Sequence, residues 1–564
     1  MGGRDQSAGD FEAAFAGIES RLGDPLDPGN PFSFAQLVAS DESDGFSAEQ
    51  ERAIDALGLY PLFIPRRQGG VFVSLDQLFG TLRGLARRDL SLALQVSFRV
   101  WTHLAWIAGT EDDQALVRGH LAQGYDFALG VSEREHGADV LANAVVARGG
   151  DPVRLYGAKW PIGNHARARG IFVLARAEDK RGPRAFSWYY VDAEAAARSI
   201  RRTPNVPKAG MRAASLGGIE LDGAPARRIG GEGQGFEALL RLFQVTRFLV
   251  SSFCLGSTDT CLRLAADFAL ERQLYGQAVA DIPSARNELV RAFALHFACD
   301  LYQGYAARVI QRHPEHLGLV SLVAKYLLPR LTAGALESAR TVFGARAFLR
   351  EGRGSGIFQK MGRDHQIVGL FDGASPVCLH SLYAMLPYLL NRRGEMPTDR
   401  GGPSQDFEYA ALSLVPKAGD PLALVTSEEV EALLGGIDLT ESLGCAVRDT
   451  FGAHRASIEA CRAAQGRHVD PKSETALALA ARYAEMHLVS ALLRAAAEEP
   501  RLPPVWLAAM VVLCGSGHRV LDEVFTGAEL GRLFSDVETM TRRRRLYSLI
   551  HDCQTADAGP PAYE

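Results

Sequence analysis

The stretch VGLFDGASPV, residues 368–377, places a carboxylate, Asp372, at the end of an apolar run and before the small residues Gly373, Ala374 and Ser375. Burying an unpaired charge is costly, so a carboxylate in this position needs a reason. One interpretation is a turn or a helix N-cap, because Asp-Gly is a common turn pair. The other is a general base, because an apolar surrounding raises the pKa of a carboxylate toward the range that proton abstraction requires.

The chain that must position this carboxylate has 564 residues, 47% hydrophobic and 23% charged, with a formal net charge of −5. This composition is typical of a globular protein with a large core, and it argues against bulk nucleic-acid binding. The N-terminus lacks the apolar stretch of a signal peptide. No segment approaches 18 uncharged apolar residues, so no transmembrane segment is expected.

The eight cysteines are scattered and form no C-x-x-C pair. That spacing argues against a structural zinc site and against a disulfide framework, and no metal site is predicted. A reducing cytoplasm is the expected location.

Periodicity predicts a mainly α fold with a central β domain. Apolar residues recur at helical spacing on both sides of a region of short apolar runs cut by Gly, Asp and Pro. The predicted divisions are a flexible N-terminal segment (1–45), an N-terminal helical domain (46–124), a central β domain (125–232), a helical bundle domain (233–393), a linker (394–406) and an additional C-terminal helical domain (407–564).

Five stretches within residues 50–390 resemble, in order and spacing, motifs of the acyl-CoA dehydrogenase family of flavoenzymes. They are GTEDDQALVRGHLAQGYDFALGVSEREHGAD (109–139), LYGAKWPIGN (155–164), GEGQGFEALLRLFQVTR (231–247), ERQLYGQAVADIPSAR (271–286) and QKMGRDHQIVGLFDGAS (359–375). The resemblance implies the family's fold, an N-terminal helical domain, a small β-barrel or sheet domain and a four-helix bundle, here with an extra helical domain.

The resemblance also implies a cofactor and a reaction. The cofactor is FAD, lying between the β domain and the bundle, and the substrate is an acyl thioester. Asp372 aligns with the catalytic Glu that removes the α-proton, and Arg247 aligns with the buried Arg that supports that carboxylate. Arg272 aligns with an Arg that reaches the FAD pyrophosphate of the partner in a dimer, and Tyr275 is expected near that FAD. The residues carried over as FAD-binding are Val131, Ser132, Gly137, Ala138, Ile162, Gly163, Arg272, Tyr275, Gly344 and Ala374.

The sequence departs from the family pattern at several of these positions. Asp372 is one methylene shorter than Glu, and a displacement of about 1 Å can lower a rate on the order of a hundredfold. Gly163 stands where the family has a Thr that contacts flavin N5, and Ala138 and Ala374 also replace hydroxyl-bearing residues. One explanation is drift with compensation elsewhere. The other is altered chemistry that lets O2 reach the reduced flavin.

Three functions remain open at this point. The first is α,β-dehydrogenation of an acyl thioester carried on CoA or on a carrier protein, in a specialised biosynthetic pathway. The second is an O2-using decarboxylase, dehydrogenase and monooxygenase acting on a β-keto acid, as in family relatives that form epoxyketones. The third is a non-catalytic scaffold with the same fold. Candidate partners are a second copy in a homodimer or homotetramer, an acyl carrier protein and an electron-transfer partner.

Overall fold

The computed structural model describes residues 4–352, 354–391, 406–415, 419–423, 427–465, 469–515 and 520–557. The expected linker, residues 394–406, lies outside these ranges except for Asp406. The mainly helical fold with a central β domain is confirmed.

Along the chain, helices come both before and after the strands of the sheet. They are α1 Arg4–Leu22, α2 Phe34–Glu42, α3 Ala48–Ala56, α4 Leu75–Arg88, α5 Leu90–Ser97, α6 His103–Ala108, α7 Glu111–Ala122, α8 Gly235–Glu271, α9 Pro283–Arg312, α10 Leu317–Phe343, α11 Ile357–Val368, α12 Ser375–Asn391, α13 Ser427–Leu434, α14 Glu441–Gln465, α15 Glu474–Glu498, α16 Pro504–Gly515 and α17 Gly527–Arg542. The strands are β1 Phe127–Gly130, β2 Val146–Arg148, β3 Val153–Gly163, β4 Gly170–Ala177, β5 Phe186–Asp192, β6 Ile200–Arg202, β7 Leu216–Ile229, β8 Gln273–Leu274 and β9 Gln277–Ala278.

The N-terminal segment, expected to be flexible, forms two helices that belong to the N-terminal domain. The apolar residues of α1 recur at helical spacing, and Phe11, Phe15, Ile18 and Leu22 are all buried. This stripe packs on α4. The segment was expected to be flexible because Gly, Asp and Pro residues follow α1. Its apolar residues nevertheless form a helical stripe, and such a stripe needs a surface to pack against.

Two glycines in α4 let α1 approach closely. A Cβ at Gly80 would lie 3.1 Å from the amide nitrogen of Phe15 and would overlap the carbonyl of Phe11. A Cβ at Gly84 would overlap the side chain of Ile18. The contact between the two helices therefore depends on the missing side chains at these positions.

The first seven strands form one sheet that closes on itself. The pairing order is β1-β4-β2-β3-β7-β5, β6 also pairs with β7, and a further pairing joins β4 to β5. Strands β4, β2, β3, β7 and β5 therefore make a closed ring, as in a small barrel. Its interior holds a separate apolar core that includes Leu155, Ile162, Ile171, Val173 and Ile219.

The bundle domain is organised around α8, which has 37 residues and packs against α4, α9, α10 and α11. Helix α10 lies along α8, and α11 and α12 follow it in the chain. The segment between α11 and α12 contains Asp372. The candidate base is thus placed where three bundle helices meet.

The C-terminal helices cover the outer side of the bundle. Helices α15 and α16 pack on α9, and α15 also packs on α12. A buried polar chain joins the two parts: Asp420 accepts a hydrogen bond from the Tyr483 hydroxyl at 2.7 Å and lies 2.6 Å from His487 Nδ1, while His487 Nε2 lies 3.1 Å from the hydroxyl of Tyr302 in α9. These partners satisfy polar groups that would otherwise be costly to bury.

A buried lysine holds three parts of the chain together. Lys360 in α11 lies 2.6 Å from Asp364, in the same helix, and forms an ion pair with Asp89, which precedes α5. Asp364 also accepts a hydrogen bond at 2.6 Å from the backbone amide of Met211, in the β domain. Although burial acts to lower it, the surrounding carboxylates raise the pKa of Lys360. This junction fixes α11, and hence the start of the Asp372 segment, relative to the other two domains.

Three helices within the described residues are long and apolar enough, by length and composition, to cross a membrane. They are Gly235–Glu271, Pro314–Phe348 and Glu474–Glu498, and 83%, 78% and 72% of their apolar windows are buried inside the fold. We expected no transmembrane segment because we required a run of about 18 uncharged apolar residues, and this requirement was too strict.

The close approach of α1 and α4 yields a stability prediction. Gly80→Ala places a Cβ against the backbone of Phe11 and Phe15, so it is expected to lower the free energy of unfolding by about 1–3 kcal/mol through overpacking. Gly119→Ala in α7 is the matched control, because a Cβ there meets nothing within 4 Å. It is expected to be neutral or stabilising by about 0.5–1 kcal/mol through helix propensity. Thermal unfolding of both variants checks this, and an unchanged or higher midpoint for Gly80→Ala would contradict the packing.

Candidate active site

Asp372 lies in a tight turn between α11 and α12. Its φ is 55°, and that of the following residue, Gly373, is 118°. Arg247 in α8 donates a hydrogen bond from Nε to the Asp372 carbonyl at 2.6 Å. A Cβ at Gly373 would lie 3.1–3.4 Å from the guanidinium of Arg247, so this position favours glycine both for its backbone angle and for its space. Arg247 therefore holds the backbone of Asp372, and its predicted support of the carboxylate stays a prediction.

Asp372 is half-buried, and its carboxylate has three polar neighbours. Burial raises its pKa, and the positive charges of Lys325 and Arg247 and the nearby Thr246 hydroxyl oppose that rise. Thr246 Oγ1 is itself buried and has no hydrogen-bond partner of normal geometry within the described residues. A carboxylate with raised pKa beside an unpartnered hydroxyl is suited to accept a proton from a bound molecule.

Lys325 in α10 is a site residue that sequence reasoning missed. Its side chain is buried, Nζ donates a hydrogen bond to the Val368 carbonyl at 2.5 Å, and it lies 4.5 Å from the centre of the Phe371 ring. Burial lowers the pKa of Lys325 to about 8, while the charge of Asp372 acts in the opposite direction. The signal in the sequence was a lone lysine within LGLVSLVAKYLLP, an apolar helix where a charge needs a partner.

The β-domain residues carried over from the resemblance form one connected group. The Val131 carbonyl accepts hydrogen bonds from Lys159 Nζ at 2.9 Å and from Asn143 Nδ2 at 2.7 Å. The Ser132 carbonyl accepts one from the Trp160 amide at 2.9 Å. Gly137 and Ala138, further along this loop, are exposed. The loop that starts at Val131 is therefore anchored to β3, and its outer part is open.

Lys159 and Glu133, which sequence reasoning also missed, anchor that loop electrostatically. Lys159 Nζ lies 2.8 Å from Glu133 Oε1. Glu133 also accepts the backbone amides of Ala144 and Val145 at 2.6 and 3.0 Å. Burial lowers the pKa of Lys159 to about 8. Burial acts to raise the pKa of Glu133, but Lys159 and the two amides hold it below its usual value.

Ile162 and Gly163 are the last two residues of β3. The Ile162 side chain is 1% exposed and lies in the barrel core, so its backbone is the part of this residue that is available to a cofactor. Phe98 packs against Gly163: a Cβ there would lie 2.6 Å from the Phe98 Cζ. Phe98 thus takes the space of the Thr that the family has at this position.

The third group of carried-over residues lies at the opposite end of α8. Arg272 follows the last residue of α8, Tyr275 lies at the tip of the β8–β9 hairpin with 94% exposure, and Gly344 is exposed at the end of α10. Arg272 lies 25 positions after Arg247, so the two are about 37 Å apart along the helix. One chain therefore does not bring Arg272 to the Asp372 turn, whereas Ala374 lies directly beside it.

The described residues fit FAD in several respects and differ in one. The 131–139 loop is open, since a Cβ at Gly137 meets nothing within 4 Å, and the buried Thr246 hydroxyl lies near the Asp372 carboxylate. Within the part of the chain that the structure describes, the Arg272 side chain is exposed and forms no ion pair, so it is free for a phosphate. The difference is Phe98, an apolar ring where the family offers a hydroxyl. No group of three or more His, Cys, Asp or Glu among the described residues is arranged to hold a metal ion.

Two protein-family models match the chain. Residues 128–224 match the acyl-CoA dehydrogenase middle domain, and residues 233–385 match the acyl-CoA dehydrogenase C-terminal domain. The chain is 25% identical over 339 residues to (2S)-methylsuccinyl-CoA dehydrogenase of Cereibacter sphaeroides, covering 58% of this chain and 61% of that protein. It is 23% identical over 342 residues to glutaryl-CoA dehydrogenase of Desulfococcus multivorans, covering 58% of this chain and 86% of that protein.

A solved structure shares the fold over nearly the whole chain. The acyl-CoA dehydrogenase from Bacillus anthracis, complexed with FAD, has a TM-score of 0.69 at 16% identity and covers 96% of this chain and 93% of its own. The shared fold thus includes helices beyond the two matched domains. The fold is therefore that of acyl-CoA dehydrogenases, and residues 128–224 and 233–385 are similar in sequence to the middle and C-terminal domains of that family.

Proposed function

We propose that the protein α,β-dehydrogenates an acyl thioester, with Asp372 as the base. The observation that carries this proposal is the Asp372 turn, in which a carboxylate with raised pKa is held at a helix junction between Lys325 and Arg247. The turn lies within the matched C-terminal domain. A proton acceptor in a low-dielectric site is what the weakly acidic α-carbon of a thioester requires.

The roles of the chain's own residues follow from their positions. The Asp372 carboxylate accepts the α-proton and becomes neutral, which its surrounding favours because burial disfavours the charged form. The Thr246 hydroxyl is a donor available for the polarised substrate carbonyl. The residues that hold FAD are the backbone of 131–139 and 162–163 and, from a second copy, Arg272 and Tyr275. Bound FAD supplies the acceptor for the hydride that leaves the β-carbon.

The cofactor site in this proposal is shared between two copies. About 37 Å of helix separates Arg247, beside the Asp372 turn, from Arg272. Arg272 and Tyr275 therefore serve the cofactor of a second copy rather than their own. The exposed apolar residues Leu274, Tyr275, Phe348 and Leu349 give that end of the bundle a surface suited to such a contact.

A second candidate function is favoured by the contact between Phe98 and Gly163. An apolar ring in place of a hydroxyl removes a hydrogen bond from the reacting edge of the flavin, and O2 is then a candidate acceptor. Loss of CO2 from a β-keto acid generates the carbanion without α-proton abstraction, so the shorter Asp372 matters less in this reaction. The carrier of the acyl group, the biosynthetic context and a cytoplasmic location remain predictions.

The role of Asp372 is tested by two substitutions. Asp372→Asn is expected to keep the fold and the bound flavin, because the two side chains are nearly equal in size, and to lower turnover by about 10²–10⁴-fold, because an amide accepts no proton. Anaerobic loss of visible flavin absorbance with butyryl-CoA and glutaryl-CoA measures it. Asp372→Glu separates the two candidate functions. If the reaction is α,β-dehydrogenation, the longer carboxylate is expected to keep or raise activity. If the site is shaped around Asp for a β-keto acid and O2, the variant is expected to lose activity. Full turnover in Asp372→Asn would leave this segment as a simple turn.

The cofactor role of Arg272 is tested by Arg272→Ala. Loss of a charge-assisted phosphate contact, worth roughly 1.5–3 kcal/mol, is expected to lower the FAD content of the purified protein. Arg543→Ala, which removes another exposed arginine, is the control and is expected to keep full FAD content. Equal FAD retention in both variants would show that Arg272 does not bind the cofactor.

The contact between Phe98 and Gly163 is tested by restoring the family's hydroxyl. Gly163→Thr alone is expected to lower the thermal midpoint, because its Cβ would lie 2.6 Å from the Phe98 ring. Combining it with Phe98→Ala opens that space and is expected to recover much of the stability and to slow O2 consumption by the reduced protein. An oxygen electrode and thermal unfolding provide the two readouts. If the double variant consumes O2 as fast as the parent, this contact does not control the acceptor.

A further inference from the structure

Two cations on different helices bind backbone carbonyls of the turn that carries Asp372. Arg247 in α8 binds the Asp372 carbonyl at 2.6 Å, after the apolar part of the turn. Lys325 in α10 binds the Val368 carbonyl at 2.5 Å and lies 4.5 Å from the Phe371 ring centre, before the carboxylate. Residues 368–372 are therefore fixed at both ends, with the carboxylate between the two positive charges.

The buried ammonium of Lys325 is not explained by packing alone. Lys325 is 1% exposed, and its described contacts are one backbone carbonyl and one aromatic ring, neither of which carries a negative charge. A lysine in such a place is costly unless a carboxylate compensates it. The carboxylate whose charge acts on it is that of Asp372.

We propose that Lys325 is a positioning residue for Asp372: its ammonium group holds the turn through Val368 and Phe371 and sets a positive charge near the base. A base must be ionised before it can accept a proton, and burial alone favours the neutral acid. The charge of Lys325 opposes that effect of burial. This inference rests on the proposed function only where it names Asp372 as the base.

The other titratable groups near Lys325 and Asp372 keep a constant charge near pH 7. The other titratable groups acting on Lys325 are the thiols of Cys254 and Cys378 and the guanidinium of Arg247. Burial raises the pKa of Cys254 to about 12 and also raises that of Cys378, so both thiols stay neutral near pH 7. An arginine guanidinium stays charged in proteins. Near pH 8, the charge that changes in this cluster is therefore that of Lys325.

The test reads the ionisation of Lys325 directly and needs no substrate. The chain has seven lysines, so lysine labelled with ¹³C at Cε gives a spectrum of few signals in the FAD-loaded protein. In the parent, Lys325 is expected to titrate near pH 8. In Asp372→Asn the negative charge at residue 372, which raises the pKa of Lys325, is gone. The pKa of Lys325 is therefore expected to fall by about 1–3 units. Burial also lowers the pKa of Lys159 to about 8, but its partner is Glu133, and its signal is expected to stay unchanged.

The signal of Lys325 is assigned by its loss in Lys325→Met, or, if that variant does not fold, by the loss of the other near-pH-8 signal in Lys159→Arg. An unchanged Lys325 titration in Asp372→Asn would overturn the proposal, and an equal shift of both lysines would also do so, because it would mark a general loosening of the structure.

The kinetic arm uses Lys325→Met with an acyl-CoA that the parent oxidises. Without the ammonium the pKa of Asp372 rises further, so the acid limb of kcat/KM is expected to move up by about 1–3 pH units. A variant that lowers kcat at all pH values without moving this limb has lost only structure. If the Lys325 titration shifts in Asp372→Asn but that variant turns over normally, the Lys325 inference stands and the proposed function fails. If the Lys325 titration does not shift but Asp372→Asn loses turnover, the Lys325 inference fails and the proposed function stands.

Discussion

The hydrogen bond from Arg247 to the Asp372 carbonyl is the constraint on which the site depends. It holds a non-glycine residue at a φ of 55°, a conformation that costs an L-residue free energy unless its surroundings enforce it. The donor comes from α8 and the second anchor, Lys325, comes from α10, so the turn is correct only when these two helices are correctly packed. A displacement of about 1 Å in that packing reaches the carboxylate, where it is large in catalytic terms. The long apolar faces of the bundle thus serve the chemistry as well as stability.

The same dependence extends outward to parts of the chain without chemistry of their own. Helix α11 leads into the turn, and the junction at Lys360 fixes α11 to both the N-terminal domain and the β domain. Helix α1 packs on α4, which in turn packs on α8. The N-terminal helix therefore supports the helix that carries Arg247, which accounts for the close glycine contacts that a flexible tail would not need.

The motif-bearing part of the site was predictable from the sequence, and its supporting partners were not. The order of elements and the neighbourhood of Asp372 and Arg247 follow from periodicity and from local stretches that resemble a family. Phe98 and Gly163 lie 65 residues apart, and no local pattern shows that the ring of one fills the space of a side chain missing at the other. The segment 1–45 was misjudged for a related reason: its apolar spacing was present, but the surface it covers lies in α4. Contacts between distant segments are set by tertiary packing, which composition and spacing do not encode.

The lysines show a regularity that composition does reveal. The chain has 61 basic residues, of which only seven are lysines. Three of these, Lys159, Lys325 and Lys360, are buried, and two of them donate to a backbone carbonyl at the site. Arginine brings a wide planar group, whereas an ammonium is compact, donates in three directions and shifts its pKa when buried. In a chain that uses arginine almost everywhere on its surface, a lysine in an apolar helix is therefore a sign of a specific interior partner. Read in this way, LGLVSLVAKYLLP points to a carboxylate elsewhere in the fold, and the carboxylate whose charge acts on Lys325 is that of Asp372.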